Sequence, residues 1–415
     1  MTAVTERARR DTTAARAPRR RPPDRKATIL RVAAELFASR GYAAVSVTEI
    51  AEGVGISPGA MYRHYRGKEG VLDAVMVDAV EAYAAVVRDA LADAASDERG
   101  EPTTALRLAV AGSTQVALDR PALLVAYLRE HHRIGHGALT ELVGADREQF
   151  ALWTRAIEAV RPDVGKGEQA ARLQACLGAL VGMSIASGKV DGVDPGGLVG
   201  SGILAMLEAP PDPRFRPAAV PTPSGWTPPP SRRQQLLWSA VELFKDEGYD
   251  GVGIDDLGAA VGISGPAVYA WFDTKAQILV DLFDLMVSRL AAVCATAIRT
   301  ASTPSDALGI LVRGQVQVSF DSADLMLVAN RELHALPRED QRRMARRRID
   351  LREPWRAILA EVRPDLTPEE HLVLIECVLH LVRQVSQYRQ ASGPSVDATA
   401  SLALAFLLDS NAVRT

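Results

Sequence analysis

Residues 57–65 read SPGAMYRHY, and residues 264–272 read SGPAVYAWF. The two stretches lie 207 positions apart. Working outward from them, residues 25–72 align with 232–279 without a gap, with 17 identities in 48 pairs. Glu35/Glu242, Phe37/Phe244, Gly41/Gly248, Tyr42/Tyr249, Ile56/Ile263, Tyr62/Tyr269 and Lys68/Lys275 are among them. Self-similarity at a long fixed offset marks a duplicated structural unit. The likeness continues more weakly. Trp153 with Val160-Arg161-Pro162-Asp163 matches Trp355 with Val362-Arg363-Pro364-Asp365 at an offset of 202, and Cys176 matches Cys377 at 201. The duplicated unit is therefore about 200 residues of a 415-residue chain.

Hydrophobic periodicity gives the class. Ile29, Ala33, Leu36 and Phe37 recur at i, i+4, i+7 and i+8, as one helix face requires, and Leu236, Ala240, Leu243 and Phe244 repeat that face. Period-two alternation is nowhere sustained. The expected fold is all-α, a tandem of a short N-terminal helical module and a longer helical bundle. Domain boundaries are expected at 1–24 (a basic arm), 25–72, 73–208, 209–231 (a Pro-rich linker), 232–279 and 280–415. The arm region has a net charge of +6 over residues 1–26 and little apolar content, so it cannot form a core. The linker's prolines fix φ and remove donors. Its 23 residues span up to roughly 70 Å at about 3.1 Å per residue, more than the roughly 40 Å diameter of one unit.

Composition narrows the partners. Formal net charge is −3, so any surface for nucleic acid is local. Cys176, Cys294 and Cys377 are far apart and lack ligand spacing, which fits free thiols in a reducing compartment. No apolar stretch reaches the roughly 20 residues of a membrane helix, and the N-terminus has no apolar leader. A cytoplasmic protein is expected, without a cofactor.

In the first module, one helix over 24–39 ends at Gly41, which can take the left-handed conformation there. Ser46 or Thr48 caps a second helix over 47–54. Gly55-Ile56 makes a tight turn with an apolar anchor, and Ser57 caps a third helix with Pro58 in its first turn. Two short helices joined in this way form a helix-turn-helix, whose second helix fits the DNA major groove. Gly59 and Ala60 are small enough for close approach. Tyr62, Arg63, His64 and Tyr65 can reach phosphates or base edges, and Lys68 sits at the next helix N-terminus.

LFASRGYAAVSVTEIAEGVGISPGAMYRHYRGKEGVL and LFKDEGYDGVGIDDLGAAVGISGPAVYAWFDTKAQIL resemble the tetracycline-repressor (TetR/AcrR) family of bacterial transcriptional regulators. The resemblance covers about a quarter of the chain. It implies that Thr48, Tyr62, His64 and Lys68 contact DNA phosphates and that Ser57, Gly59, Ala60 and Met61 lie near base edges. It further implies a ligand-binding and dimerisation bundle after each module, with an operator released when a small molecule binds. Family members ordinarily carry one unit and work as homodimers, whereas this chain carries two.

The copies differ in chemistry. Thr48 becomes Asp255, Arg63 becomes Ala270, His64 becomes Trp271 and Arg66 becomes Asp273. Residues 25–68 hold seven basic and three acidic side chains; residues 232–275 hold four and seven. Acids facing phosphate weaken binding. The first head is expected to be the main DNA reader. Ser264, Ala267, Tyr269, Trp271 and Lys275 are the second head's candidates, should both heads bind, with Asp255 then capping its helix and Trp271 stacking on sugar-phosphate. An intramolecular pseudo-dimer through 168–188 and 368–389 is expected; two chains with four heads is the alternative. Arg19, Arg20 and Arg21 could enter a minor groove.

Other stretches carry weaker signals. An apolar effector pocket in each bundle would be walled by Leu124, Tyr127, Leu128, Trp153 and Met183, and by Met326, Val328 and Trp355, unless these are plain core. Gly200-Ser201-Gly202-Ile203-Leu204-Ala205 fits a GxGxxA dinucleotide fingerprint, but a turn precedes it where a strand is needed; packing is the simpler reading. His131, His132 and His136 offer a metal-ligand pair without a third ligand apart from Glu130. REDQRRMARRRIDLR at 338–352 is a solvated basic face or an anion contact. A scaffold that has abandoned DNA, and a dinucleotide enzyme, are the rival functional classes.

Overall fold

The computed structural model describes residues 25–96, 101, 103–130, 133, 136–190, 192–210, 231–388 and 394–408, without the side chains of 136–142, 145 and 146. The basic arm with Arg19, Arg20 and Arg21, most of the Pro-rich linker, and His131 and His132 lie outside the described residues, as does the side chain of His136. Among the described residues every regular element is a helix, and the tandem all-α architecture stands.

The first unit opens with α1 (Arg25–Arg40), α2 (Val47–Val54) and α3 (Pro58–Met61), followed by the long α4 (Gly67–Ser96). The apolar face of α1 buries Ile29, Val32, Ala33 and Phe37 against Ile50, Met61, Leu72 and Met76. Gly41 ends α1 with φ +79, and its amide bonds to the Phe37 carbonyl at 3.0 Å. Of the two cap candidates for α2, Ser46 is the one used, within a reciprocal capping box with Glu49. The body follows as α5 (Thr103–Asp119), α6 (Pro121–Glu130), α7 (His136–Val160), α8 (Lys166–Ala186) and α9 (Pro195–Glu208).

The second unit repeats this order as α10 (Arg232–Glu247), α11 (Ile254–Ala260), α12 (Gly265–Val268), α13 (Lys275–Thr300), α14 (Pro304–Asp321) and α15 (Ala323–Arg331). A 3-10 turn, Glu332–Ala335, leads into α16 (Arg338–Asp350), α17 (Glu353–Val362), α18 (Pro368–Gln387) and α19 (Val396–Leu408). The single α7 of the first unit is thus divided into α16 and α17. Pro354, where the first unit has Leu152, sits in the first turn of α17; it cannot donate a backbone hydrogen bond to a continuous helix.

Each head has its own core, whereas the two bodies share one in which side chains of α8, α9, α18 and α19 interleave. At its centre α8 lies on α18 with backbones nearly touching. A Cβ on Gly178 would stand 2.5 Å from the Leu381 Cα, and one on Gly182 would stand 2.5 Å from the Glu376 carbonyl oxygen. Gln384 also donates to Gln174 at 2.9 Å, so the helices pass each other in opposite senses. The start of α8 at Lys166 and of α18 at Pro368 fixes their offset at 202. Cys176 therefore corresponds to Val378, and the match of Cys176 with Cys377 is one residue out of register. The stretch Gly200–Ala205 lies inside α9, where a Cβ on Gly202 would stand 2.8 Å from the Phe406 carbonyl oxygen. These glycines serve helix packing, and among the described residues no strand precedes them.

A side chain at the centre of this interface has nowhere to go. Gly182→Val is expected to lose about 1–3 kcal/mol or more through overpacking, seen as a lower urea midpoint. Gly309→Ala, on α14 with open space around it, is expected to leave the midpoint unchanged or raise it by up to about 1 kcal/mol.

Candidate nucleic-acid interface and body cavities

The turn between α2 and α3 is built around Gly55, left-handed at φ 72 and ψ 37, with Ile56 packed on the head core. Ser57 Oγ accepts from the Ala60 amide at 3.2 Å and starts α3. Only 58–61 are α-helical; His64 then bonds to the Met61 carbonyl at 2.9 Å, a tighter turn. This short scaffold presents Tyr62, 60% exposed, with Arg63 and His64 beside it, all facing solvent. Thr48, Ser57 and Gly59 are exposed too, and Ala60 is half-buried.

Three expected contacts sit differently. Met61 is completely buried in the head core, so its side chain anchors the turn and faces no base edge. Tyr65 is half-buried against the same core. Lys68 reaches back into the protein: its Nζ donates to the Tyr42 carbonyl at 2.9 Å and lies 4.1 Å from the centre of the Tyr42 ring. Burial, and next the Arg133 charge, pull its pKa down. Lys68 closes the head by tying the start of α4 to the turn after α1.

The second head repeats the scaffold with other surface chemistry. Val268 takes the place of Met61 and is completely buried, and Phe272 takes that of Tyr65 at 2% exposure. Lys275 donates to the Tyr249 and Val252 carbonyls at 2.6 and 2.7 Å and sits over the Tyr249 ring. Tyr269 and Trp271 face solvent at 54% and 38% exposure; Ser264 is exposed and Ala267 half-buried. Asp255 does not cap its own helix, since Asp256 makes the bond to the Gly253 amide at 2.7 Å. The Asp255 carboxylate lies instead against Gly265. A negative charge thus stands beside the start of α12, where the first head offers neutral Thr48.

The heads are tied to the bodies by a polar junction that the sequence reading passed over. Arg129 Nη1 donates to the Ala38 carbonyl at the end of α1, at 3.1 Å. Glu130 Oε1 accepts from the Tyr42 amide at 3.0 Å, and Arg133 pairs with Oε2 at 3.2 Å. In the second unit Arg331 donates likewise to the Phe244 and Lys245 carbonyls. The two junctions meet: Arg129 Nη2 lies 3.1 Å from His334 Nδ1, which is also 2.9 Å from the Arg331 carbonyl. A bare Nδ1 accepts from Arg129; a protonated one donates to the carbonyl. The signal was available in the repeat, as LREHH at 128–132 and NRELH at 330–334.

Two cavities open beside the α8–α18 contact, each with residues of both units in its wall. The first, about 470 Å³, is lined by Leu124, Tyr127, Leu128 and Trp153, together with Gln384 and Tyr388 of the second unit. The Tyr83 hydroxyl on its wall is buried and has no hydrogen-bond partner among the described residues. The second, about 200 Å³, includes Met326 and Trp355, with Ile185 and Lys189 of the first unit. Met183 and Val328 are absent from both walls and are packed in the cores, each at 0% exposure; α8 turns Met183 away from the opening. The basic stretch at 338–352 divides: Arg342, Arg343 and Arg346 face solvent, while Arg348 and Arg352 line the second cavity.

Known proteins match the chain twice over. The description "Bacterial regulatory proteins, tetR family" fits residues 29–75 and again 236–282. Both heads match the TetR family. It is 32% identical over 90 residues to the HTH-type transcriptional activator FasR of Mycolicibacterium smegmatis, covering 22% of this chain and 39% of FasR. It is 29% identical over 150 residues to the HTH-type transcriptional repressor KstR2 of the same organism, covering 34% of this chain and 71% of KstR2. Among solved structures, a TetR-family transcriptional regulator from Bordetella parapertussis aligns with 43% of this chain and 94% of its own, at 23% identity and a TM-score of 0.40. The chain spans well under two thirds of FasR's length.

The cap of α2 gives a pH dependence. Glu49 accepts from the Ser46 amide and pairs with Arg40, both at 2.8 Å. The Ser46 amide bond, and next Arg40, hold its carboxyl down at about 2. A lowered folded pKa adds stability that is complete above the ordinary 4.5 and is lost as pH falls toward 2. Acid titration of thermal midpoints is expected to show a flatter pH 4.5-to-2 slope for Glu49→Gln than for the wild type.

Proposed function

We propose that the chain is a sequence-specific DNA-binding transcriptional repressor whose first head is the main reader and whose operator is released when a small molecule enters the bodies. The observation that carries this reading is the exposed trio Tyr62, Arg63 and His64 on a Ser57-capped turn, in a head with seven basic and three acidic residues. Thr48, Ser57, Gly59 and Ala60 complete its face toward DNA. Met61 and Lys68 support that face from within. The second head keeps the scaffold but carries Asp255 and Asp273 toward the same side of its sequence motif, so phosphate approach is disfavoured. Ser264, Ala267, Tyr269 and Trp271 are then left as weak or structural contacts. KstR2, with the longer of the two sequence matches, is named a repressor, which favours that direction over activation.

The two units act as an intramolecular pseudo-dimer in this reading. The partners at the centre are unlike: α8 brings Gly178 and Gly182, and α18 brings His380 and Gln384 at the equivalent positions. In the same register two copies of α8 would set Gly178 and Gly182 against Ala179 and Ala175, with little side chain to fill the contact. Two copies of α18 would set bulky polar side chains against each other. Effector entry at either cavity would act on both units, because each wall draws on both. The head junctions that meet at Arg129 and His334 offer the route from body to DNA.

Gel-shift titration against fragments selected by the purified protein tests the DNA reading. Tyr62→Ala is expected to weaken binding about fivefold or more, the loss of one phosphate hydrogen bond with its packing. Tyr269→Ala is expected to change it less than about twofold; equal losses refute the asymmetry, and no salt-sensitive shift of any fragment refutes DNA binding. Light scattering is expected to give the mass of one chain, 44.5 kDa; twice that value refutes intramolecular pairing.

A further inference from the structure

The two cavities are equivalents that have diverged in chemistry. Trp153 and Trp355, Leu124 and Met326, and Leu177 and Leu379 occupy matching wall positions at an offset of 202. At the same offset Phe150 becomes Arg352, Gln174 becomes Glu376 and Val181 becomes Arg383. The first cavity has a neutral wall. The second wall holds four cations, Lys189, Arg348, Arg352 and Arg383, against the single carboxylate of Glu376.

The pairing within that wall is uneven. Glu376 Oε1 lies 2.7 Å from Arg352 and 3.8 Å from Lys189. Arg348 donates to the neutral Asn330 at 2.7 Å and lies over the Phe283 ring. Arg383 has neither a hydrogen bond nor an ion pair through its side chain among the described residues. Burial pulls the pKa of both Arg348 and Arg383 down to about 10. His380, with Nδ1 2.9 Å from the Glu376 carbonyl, is held neutral first by burial and then by Arg383. Arg383 is half-buried, and four cations facing one carboxylate leave room for a second anion. Glu376 is the carboxylate that favours the Arg383 charge, and it is shared with Arg352 and Lys189.

We propose that the second cavity binds a small monocarboxylate, with Arg383 as the carboxylate-binding residue and the Met326, Trp355 and Leu379 side chains holding the apolar remainder. This rests on the reading of the bodies as ligand-binding domains. The planar guanidinium fork matches a carboxylate in two parallel bonds. A volume of about 200 Å³ is that of roughly seven waters at about 30 Å³ each, and covalently bonded atoms pack closer than that, so hexanoate and benzoate fit. That suits a short aliphatic or single-ring acid and leaves no room for a nucleotide. The first cavity, larger and neutral, does not share this preference.

Isothermal titration of the full chain with benzoate and hexanoate, and with benzyl alcohol and hexanol as neutral counterparts, tests the proposal. The acids are expected to bind at least tenfold tighter than the alcohols. Arg383→Met is expected to weaken the acids at least tenfold and leave the alcohols unchanged, while Arg383→Lys keeps part of the gain. The thermal midpoint of ligand-free Arg383→Met is expected to equal or exceed that of the wild type, since one of four cations crowded around a single carboxylate is gone. Alcohols binding as tightly as acids, no acid binding at millimolar concentration, or full acid binding by Arg383→Met each overturns the carboxylate site. Acid binding lost with Arg383, but without effect on the gel shift, leaves the site standing and refutes ligand-controlled release instead.

Discussion

The near-contact of two backbones at Gly178 and Gly182 is what the rest of the molecule depends on. Because α8 has no side chains there, α18 can approach until Leu381 and Cys377 lie on it. Two bundles thereby share one apolar core, as a single 200-residue unit could not. The closeness also sets what surrounds it. Side chains at the ends of the contact, Gln384 and Tyr388 on one side and Ile185 and Lys189 on the other, are carried into the opposite unit's cavity wall.

Most of the heads could be read from the sequence, because local chemistry decides them. Ser46 and Ser57 cap, Gly41 and Gly55 take positive φ, and an i, i+4, i+7 stripe finds the core. These are properties of a few consecutive residues. The failures concern where a side chain points. Met61 lies in the motif beside Tyr62, but a tightening turn aims one inward and the other out. Lys68 is a cation at a helix start, and the sequence does not show that one of its Nζ protons goes to the Tyr42 carbonyl. Met183 sits on a cavity helix and faces the other way. The cysteine match went wrong because identity at one position outweighed the register set by the helix starts.

The pattern of change between the copies separates frame from use. Phe37 and Phe244, Gly55 and Gly262, and Lys68 and Lys275 hold the head together and were kept. Arg63, His64 and Arg66 face outward and became Ala270, Trp271 and Asp273. The bodies follow the same rule: Trp153 and Trp355 persist while Phe150 and Gln174 gave way to Arg352 and Glu376. Once two copies share a chain, neither has to match itself across a symmetry axis. Each surface is free to specialise so long as the shared core survives.

An unlike pair of heads on a common body also has a front and a back. A two-fold symmetric regulator lies on its binding site identically in either orientation and so cannot register which way a gene runs. With seven basic and three acidic residues in 25–68 against four and seven in 232–275, a molecule reading DNA as proposed would lie on a duplex with a fixed heading, and its two flanks would meet upstream and downstream neighbours as different surfaces.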